Sequence, residues 1–244
     1  MVYILLPAFN EAKNIEQIVS NIAAVLTQAK KQFRILVVND GSTDNTAEIV
    51  SANIQKFPLE LISFVQNQGV GQVFRQGIKT LCAKAQPEDI LISMDCDQTH
   101  PANVLPRMID AINSGCDLAI ASRYHAQSTT VNLPFIRLIM SDAINWFLKV
   151  CFGIQGARDY STFFRAYKIG LLQKAEEVYQ DSFIEQGGFA CMAEILIKLR
   201  RFNPNISEVP LTLRFDLRTG KSKMKVFDTI FGYLKLIVKE KLRR

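Results

Sequence analysis

Residues 90–101 read ILISMDCDQTHP: an uncharged apolar run that breaks at Asp95 and Asp97 and ends in Pro101. A short β-branched run that turns abruptly polar is the pattern of a buried strand meeting its loop. Residues 90–94 are thus expected to be a strand and 101–114 a helix, with Pro101 in its first turn and Gly115 as its stop. The pattern recurs upstream. Residues 2–6, 34–38, 59–65 and 117–122 read as buried strands, and 11–27, 43–56 and 71–84 as the helices between them. Such alternation predicts an α/β fold with a mostly parallel central sheet and helices on both faces. Ligands of these sheets bind beyond the carboxyl ends of the strands. That singles out the polar segments 7–11, 39–44 and 95–100.

The second half reads differently. Residues 133–152 are apolar on nearly every face, with Arg137, Asp142 and Lys149 as the only charges. A polar loop, GIQGARDYST (153–162), leads into 163–167. Residues 187–201 read as a helix, 206–213 as an alternating strand, 218–223 as a basic turn, and a last helix starts near Met224. There is no repeat, low-complexity tract or flexible linker. One catalytic domain over 1–220 is expected, with 1–125 and 126–220 as its halves and 221–244 as a basic loop and amphipathic helix.

Composition narrows the classes. Apolar residues are 48% of the 244 and the mean hydropathy is +0.09, which excludes disorder. No stretch approaches the roughly 20 nearly uncharged apolar residues a spanning helix needs. The start, MVYILLPAFNE, has no basic region before its apolar run, so no signal peptide is expected. Five scattered cysteines (82, 96, 116, 151, 191) without a CxxC pair read as reduced thiols of a cytoplasmic protein. The net charge of +6 is local: residues 1–220 hold 21 Lys/Arg and 21 Asp/Glu, residues 221–244 eight and two. Without basic residues interleaved along one face, nucleic acid is not an expected partner. In 226–238, positions 226, 227, 230, 231, 234, 237 and 238 form one apolar stripe, and Lys239, Lys241, Arg243 and Arg244 follow. A basic amphipathic helix of this kind lies in a membrane interface; the ordinary alternative is a helix packed on its own domain.

Chemistry concentrates at few positions. Asp95 and Asp97 supply hard oxygen ligands suited to Mg²⁺ or Mn²⁺, the alternative being two solvated carboxylates in a turn. Asp40 can accept from a base or ribose, or cap a helix. Asn10 and Glu11 suit a cap and a dipole partner. Arg123, Arg137, Arg165, Arg218, Lys221 and Lys223 are candidate phosphate grips; Arg137 stands out because Phe135, Ile136, Leu138 and Ile139 surround it. His100 and His125 form no triad, and no G-x-S-x-G, G-x-G-x-x-G or P-loop occurs. Serine hydrolase, dinucleotide oxidoreductase and NTPase classes are excluded.

Six motifs in order, PAFNE (7–11), VVNDGSTDNT (37–46), MDCDQTHP (94–101), ASRY (121–124), RDYSTFFRAY (158–167) and RTGKSKM (218–224), resemble glycosyltransferase family 2 with its GT-A, Rossmann-like fold. The likeness is greatest to the dolichol- and polyprenyl-phosphate mannose synthase branch and spans about residues 3–224. The resemblance implies an inverting transfer of a mannose- or glucose-type sugar from a nucleotide-sugar donor, with Mg²⁺ or Mn²⁺. By position it implies that Pro7, Phe9, Glu11 and Asp40 bind the nucleotide sugar and that Asp95 and Asp97 hold the metal and diphosphate. Arg218 and Lys223 match a loop closing over the donor phosphates. Arg123, Arg137 and Ser141 match positions that hold the acceptor phosphate. Two departures are Asn39, where a first Asp is frequent, and Thr99, where Gln or Ser is common. Asp159 matches an acidic position that serves as general base in members with hydroxyl acceptors.

Two acceptors follow from these residues. A polyprenyl phosphate is already anionic and needs only orientation and charge screening; a glycan hydroxyl needs a base. Arg123 and Arg137 favour the phosphate, while Asp159 keeps the hydroxyl open, as in cell-envelope polysaccharide assembly. A non-catalytic subunit of the same fold is the third reading. The lipid acceptor carries further expectations: a membrane surface contacted through 133–152 and 226–238, a peripheral position on the inner, cytoplasmic face, and a separate membrane subunit as a possible partner.

Overall fold

The computed structural model describes residues 1–218 and 226–242; the side chains of Val226 and Phe227, and the expected basic residues Lys221, Lys223, Arg243 and Arg244, lie outside the described residues. Strands β1 (Val2–Ala8), β2 (Phe33–Asn39), β3 (Leu59–Ser63) and β4 (Ile90–Ser93) alternate with helices α1 (Ile15–Gln28), α2 (Thr46–Asn53) and α3 (Val70–Lys84). Helix α4 (Leu105–Asn113) leads to β5 (Leu118–Ser122). Then come β6 (Thr129–Val131), α5 (Phe135–Phe152), β7 (Arg165–Lys168), α6 (Ile169–Tyr179), α7 (Cys191–Leu199), β8 (Ile206–Pro210), β9 (Thr212–Arg214) and α8 (Val226–Leu242).

Seven strands form one sheet in the order β3-β2-β1-β4-β7-β5-β8. Every pairing is parallel except those of β7, which runs antiparallel between β4 and β5. The period-2 alternation of strand side chains divides the core into two layers. Tyr3, Leu5, Leu36 and Val38 point into one, with α3, α5, α6, α7 and α8. Ile4, Leu6, Ile35 and Val37 point into the other, with α1, α2 and α4. Gly77 sets how closely α3 seats: a Cβ there would lie 2.4 Å from a Leu5 methyl.

Several boundaries differ from the sequence expectation. The helix expected over 11–27 starts at Ile15, because the Glu11 carbonyl first closes a turn with the N–H groups of Asn14 and Ile15. The helix expected over 43–56 is Thr46–Asn53, since the residues before it are taken up by contacts between loops. Pro101 precedes a short 3₁₀ turn at Ala102–Val104 instead of entering α4, while Gly115, at φ +102°, does stop α4. The strand expected over 206–213 is two strands in different sheets. Pro210 has no N–H to continue the ladder, Leu211 N–H donates to Ser128 Oγ (2.9 Å), and β9 pairs with β6. Residues 187–190 stay outside α7. Helix α6 follows β7 without an intervening turn residue, so the sequence offered no start signal for it.

Candidate active site

The carboxyl ends of β2, β1 and β4 lie side by side, so the three polar segments singled out above meet. Their loops are stitched together. Asn10, in the left-handed region at φ +53°, donates its N–H to Ser42 Oγ (2.9 Å) and accepts from Thr43 N–H through Oδ1 (2.8 Å). Asn tolerates that conformation better than most residues. Glu11 N–H donates to Thr46 Oγ1 (2.9 Å) and Ala12 N–H to Asp44 Oδ2 (3.2 Å). Asn10 therefore joins two loops through Thr43 and Ser42 instead of capping a helix. Asp40 is buried and accepts from Gln68 N–H (2.7 Å), Gly69 N–H (3.0 Å) and Asn67 Nδ2 (2.9 Å). Burial raises its pKa, and the two backbone donors pull against that rise.

A pocket of about 520 Å³ opens above these ends. Eight of the expected site residues line it: Pro7, Phe9, Glu11, Asp40, Asp95, Asp97, Arg137 and Arg218. Lys223 lies outside the described residues. Arg123, Ser141 and Asp159 are not among its lining residues.

Asp95 and Asp97 are both half-buried at the pocket floor. Burial first, and then the neighbouring Asp97, pushes Asp95 well above the usual carboxylate range; Arg218 opposes the shift. Arg218 Nε lies 3.5 Å from Asp97 Oδ2. Thr99 Oγ1 donates to Asp97 Oδ1 (2.6 Å), which fixes that carboxylate. Two crowded, partly desolvated carboxylates are the setting a hard divalent cation relieves. Among the described residues no group of three or more His, Cys, Asp or Glu is arranged as a complete metal cage. The pair fits a cation that takes its other ligands from water and substrate phosphates, as Mg²⁺ commonly does.

His100 was not legible as a site residue. It is buried, stacks on Phe164 at 5.0 Å, and its Nδ1 accepts from Asp95 N–H (3.0 Å). Burial pushes its pKa down to about 4. The neutral ring thus carries its proton on Nε2 and fixes the Asp95 backbone.

Behind the pocket lies a second polar cluster. Arg123 Nε donates to Asp159 Oδ2 (3.1 Å), and its Nη2 to Ser141 Oγ (2.9 Å) and Ser161 Oγ (3.2 Å). Asp159, with no exposed surface, also accepts from the N–H groups of Ser161 and Thr162 through Oδ1. Burial alone would raise its pKa; the charge and hydrogen bond of Arg123 outweigh it and hold the carboxyl below its usual range. The same pair keeps Arg123 charged against its own desolvation. Arg165, a candidate phosphate grip, is fully buried and spends its guanidinium on the carbonyls of Met192 (2.6 Å) and Tyr160 (2.7 Å). It is a core brace.

Arg137 and Arg218 both lie over the ring of Phe215, 5.0 and 5.2 Å from its centroid. Burial, followed by the charge of Arg218, lowers the pKa of Arg137. Sequence reasoning also missed the far wall: Asn67, Gly69 and Val70, the segment Gln186–Gly187–Gly188–Phe189–Ala190, and Asp228, Thr229 and Gly232 of α8. The adjacent glycines at 187 and 188 were the one visible hint.

Helix α5 buries Asn145, Leu148 and Phe152 and exposes Phe135, Ile136, Ile139, Trp146 and Val150. Helix α8 buries Tyr233, Leu236 and Ile237 and exposes Ile230, Phe231, Leu234 and Val238. Among its described side chains the expected α8 stripe is therefore split, with Ile237 on the domain and Ile230, Phe231, Leu234 and Val238 exposed. No helix among the described residues is long and apolar enough to cross a membrane. All five cysteines are free.

The family model described as glycosyl transferase family 2 matches residues 3–175. The chain is 31% identical over 237 residues to dolichol-phosphate mannosyltransferase of Pyrococcus furiosus, covering 97% of this chain and 62% of that protein. It is 28% identical over 223 residues to polyprenol monophosphomannose synthase of Mycolicibacterium smegmatis, covering 91% of this chain and 80% of that one. It thus spans about three-fifths of the length of the Pyrococcus relative. In fold it is similar to glucosyl-3-phosphoglycerate synthase of Mycobacterium tuberculosis, solved with Mn²⁺, UDP and glucosyl-3-phosphoglycerate. The TM-score is 0.65 at 16% identity, over 100% of this chain and 79% of that one. The parallel sheet with its carboxyl-end pocket is the GT-A fold, and the chain is a member of glycosyltransferase family 2.

Proposed function

We propose that this transferase moves a mannose- or glucose-type sugar from a nucleotide-sugar donor to a polyprenyl phosphate, with inversion at the anomeric carbon. The observation that carries this reading is the shared wall: Arg137 and Arg218 flank Phe215 at the same pocket that holds Asp95 and Asp97. The two named relatives, a dolichol-phosphate mannosyltransferase and a polyprenol monophosphomannose synthase, support it. Pro7, Phe9, Glu11 and Asp40 take the nucleoside end of the donor, and Arg218, with Lys223, its phosphates. Arg137 receives the acceptor phosphate. Arg123, held by Asp159 and Ser141, positions that side of the site. Residues 1–125 thus form the donor half, 126–220 the acceptor half, and 221–244 the closing loop and helix.

An acceptor phosphate oxygen attacks the anomeric carbon as the bond to the donor diphosphate breaks, and the nucleoside diphosphate leaves. The nucleophile is anionic, so no base has to remove a proton. Asp95 and Asp97 would hold Mg²⁺ or Mn²⁺, which supplies charge neutralisation on the leaving diphosphate. Positioning and preorganised charge do the rest. A glycan-hydroxyl acceptor would need Asp159 as base, yet that carboxylate is fully buried and engaged by Arg123, Ser161 and Thr162. A scaffold without activity would not need the carboxylate pair and arginine wall kept in one pocket.

The exposed apolar residues of α5 and α8 suit a peripheral position on the inner, cytoplasmic face of a membrane, where the basic residues of 221–244 meet anionic lipid. A separate membrane subunit could dock on the same faces. Thermal unfolding with UDP or GDP and Mg²⁺ or Mn²⁺ tests the donor assignment. A metal-dependent rise in Tm with one nucleotide is expected, because a ligand that binds only the folded state stabilises it. No rise with either would contradict the assignment.

A further inference from the structure

Helix α8 does more than present an apolar surface. Its Asp228, Thr229 and Gly232 line the pocket, facing the segment 186–190. Glu185, one residue before that segment, joins two helices through its carboxylate. Oε1 accepts from Lys239 Nζ of α8 (2.6 Å) and Oε2 from Lys198 Nζ of α7 (3.2 Å).

The rest of the segment is anchored elsewhere. Glu185 N–H and Gln186 N–H both donate to Glu194 Oε2 at 2.8 Å, and Glu194 is itself paired with buried Lys198 (2.6 Å). Gly71 N–H donates to the Gly187 carbonyl (2.9 Å), and Arg75 Nε to the Ile184 carbonyl (2.9 Å). These bonds tie the segment to α7 and to the start of α3. To α8 it is linked by the Lys239–Glu185 pair and by the approach of Gly232. A Cβ at position 232 would lie at ordinary contact distance from the segment, 3.4 Å from Ala190 Cβ and 3.5 Å from Gln186 Oε1, so the space between α8 and the segment there is about one methyl deep.

We infer that Glu185 and Lys239 are positioning residues for the donor: their ion pair holds α8 against residues 186–190 and so keeps this wall in the shape that a nucleoside diphosphate fits. The inference rests on the nucleotide-sugar reading of the pocket and adds that its wall is completed from α8. Neither residue lines the pocket; both act through the residues that do.

The test uses the full chain with Mg²⁺ and measures binding of UDP and of GDP by calorimetry. Lys239→Met keeps the aliphatic stem and removes the charge; Glu185→Gln keeps the shape. Each is expected to raise Kd for whichever nucleotide the unmodified protein binds by about threefold to fivefold, the scale of one partly exposed pair. The double variant should be no weaker than the weaker single, and Lys239→Arg should restore binding. A merely structural pair would lower Tm and leave Kd unchanged, which overturns the inference. If the unmodified protein binds neither nucleotide, the donor reading itself fails and this inference falls with it.

Discussion

Arg123 and Asp159 form a buried ion pair, Nε to Oδ2 at 3.1 Å, with the carboxylate wholly out of solvent. The pair lies behind the pocket instead of lining it. In the proposed reaction a carboxylate so placed holds a guanidinium and moves no proton.

Removing one partner leaves the other charge buried and uncompensated. Asp159→Asn is expected to cost about 3–5 kcal/mol of stability, measured by urea unfolding at neutral pH. The sign with pH follows from the depressed carboxyl. Its contribution is complete above the unfolded range near about pH 4 and is lost as pH falls through the lower folded value. The variant should therefore lose less stability than the unmodified protein on acidification. An Asp159→Asn protein of unchanged stability that binds donor and acceptor yet turns over nothing would point to a general base and a hydroxyl acceptor.

Asp97 sits between Arg218 and Thr99 at the pocket floor. Asp97→Asn is expected to reduce kcat by about a hundredfold or more, the scale of losing one preorganised electrostatic contact to the leaving group. Metal-dependent stabilisation by nucleoside diphosphate should disappear with it. Nucleotide binding that stays metal-dependent in this variant would remove Asp97 from the proposed ligand pair.

Arg137 shares the Phe215 ring with Arg218 but stands on α5, in the half proposed to receive the acceptor. Arg137→Ala should lower kcat/KM for polyprenyl phosphate by about ten- to a hundredfold, since a charge-assisted contact contributes roughly 1.5–3 kcal/mol. Kd for the nucleotide should move far less. Equal losses on both substrates would place Arg137 with the donor instead.

Trp146 and Phe231 are 66% and 69% exposed, one on each outward-facing helix. Trp146→Glu and Phe231→Glu are expected to reduce co-sedimentation with anionic vesicles while nucleotide binding persists. Unchanged sedimentation of both variants would contradict a membrane role for these faces.

Strands β1, β2, β4 and β5 were legible because they are mostly apolar and each stops at a polar segment, as at Ser93–Asp95, whereas β7, RAYK, carries no such run. That these residues share one pocket was legible for the same reason: Phe9, Glu11, Asp40, Asp95 and Asp97 follow strand ends, Pro7 sits within the last two residues of β1, and parallel pairing brings strand ends together. What stayed hidden depends on long-range packing. His100 becomes a backbone anchor only when the turn folds back on Asp95. Arg165 looked like a phosphate ligand until its strand placed it in the core beside the Met192 carbonyl. The α8 stripe read as one face, yet tertiary packing took only its Ile237 inward, together with Tyr233 and Leu236 from outside the stripe, and left Phe231 and Leu234 exposed. Phe215 carried no signal, because its role is to seat two arginines from different parts of the chain.

Transfer of labelled sugar from a panel of nucleotide sugars to polyprenyl phosphate, with Mg²⁺ or Mn²⁺ and the purified full chain, tests the proposed reaction most directly. A lipid-linked monosaccharide phosphate of inverted anomeric configuration is the predicted product. Release of free sugar alone, or label appearing only on a glycan hydroxyl, would contradict the lipid-phosphate acceptor.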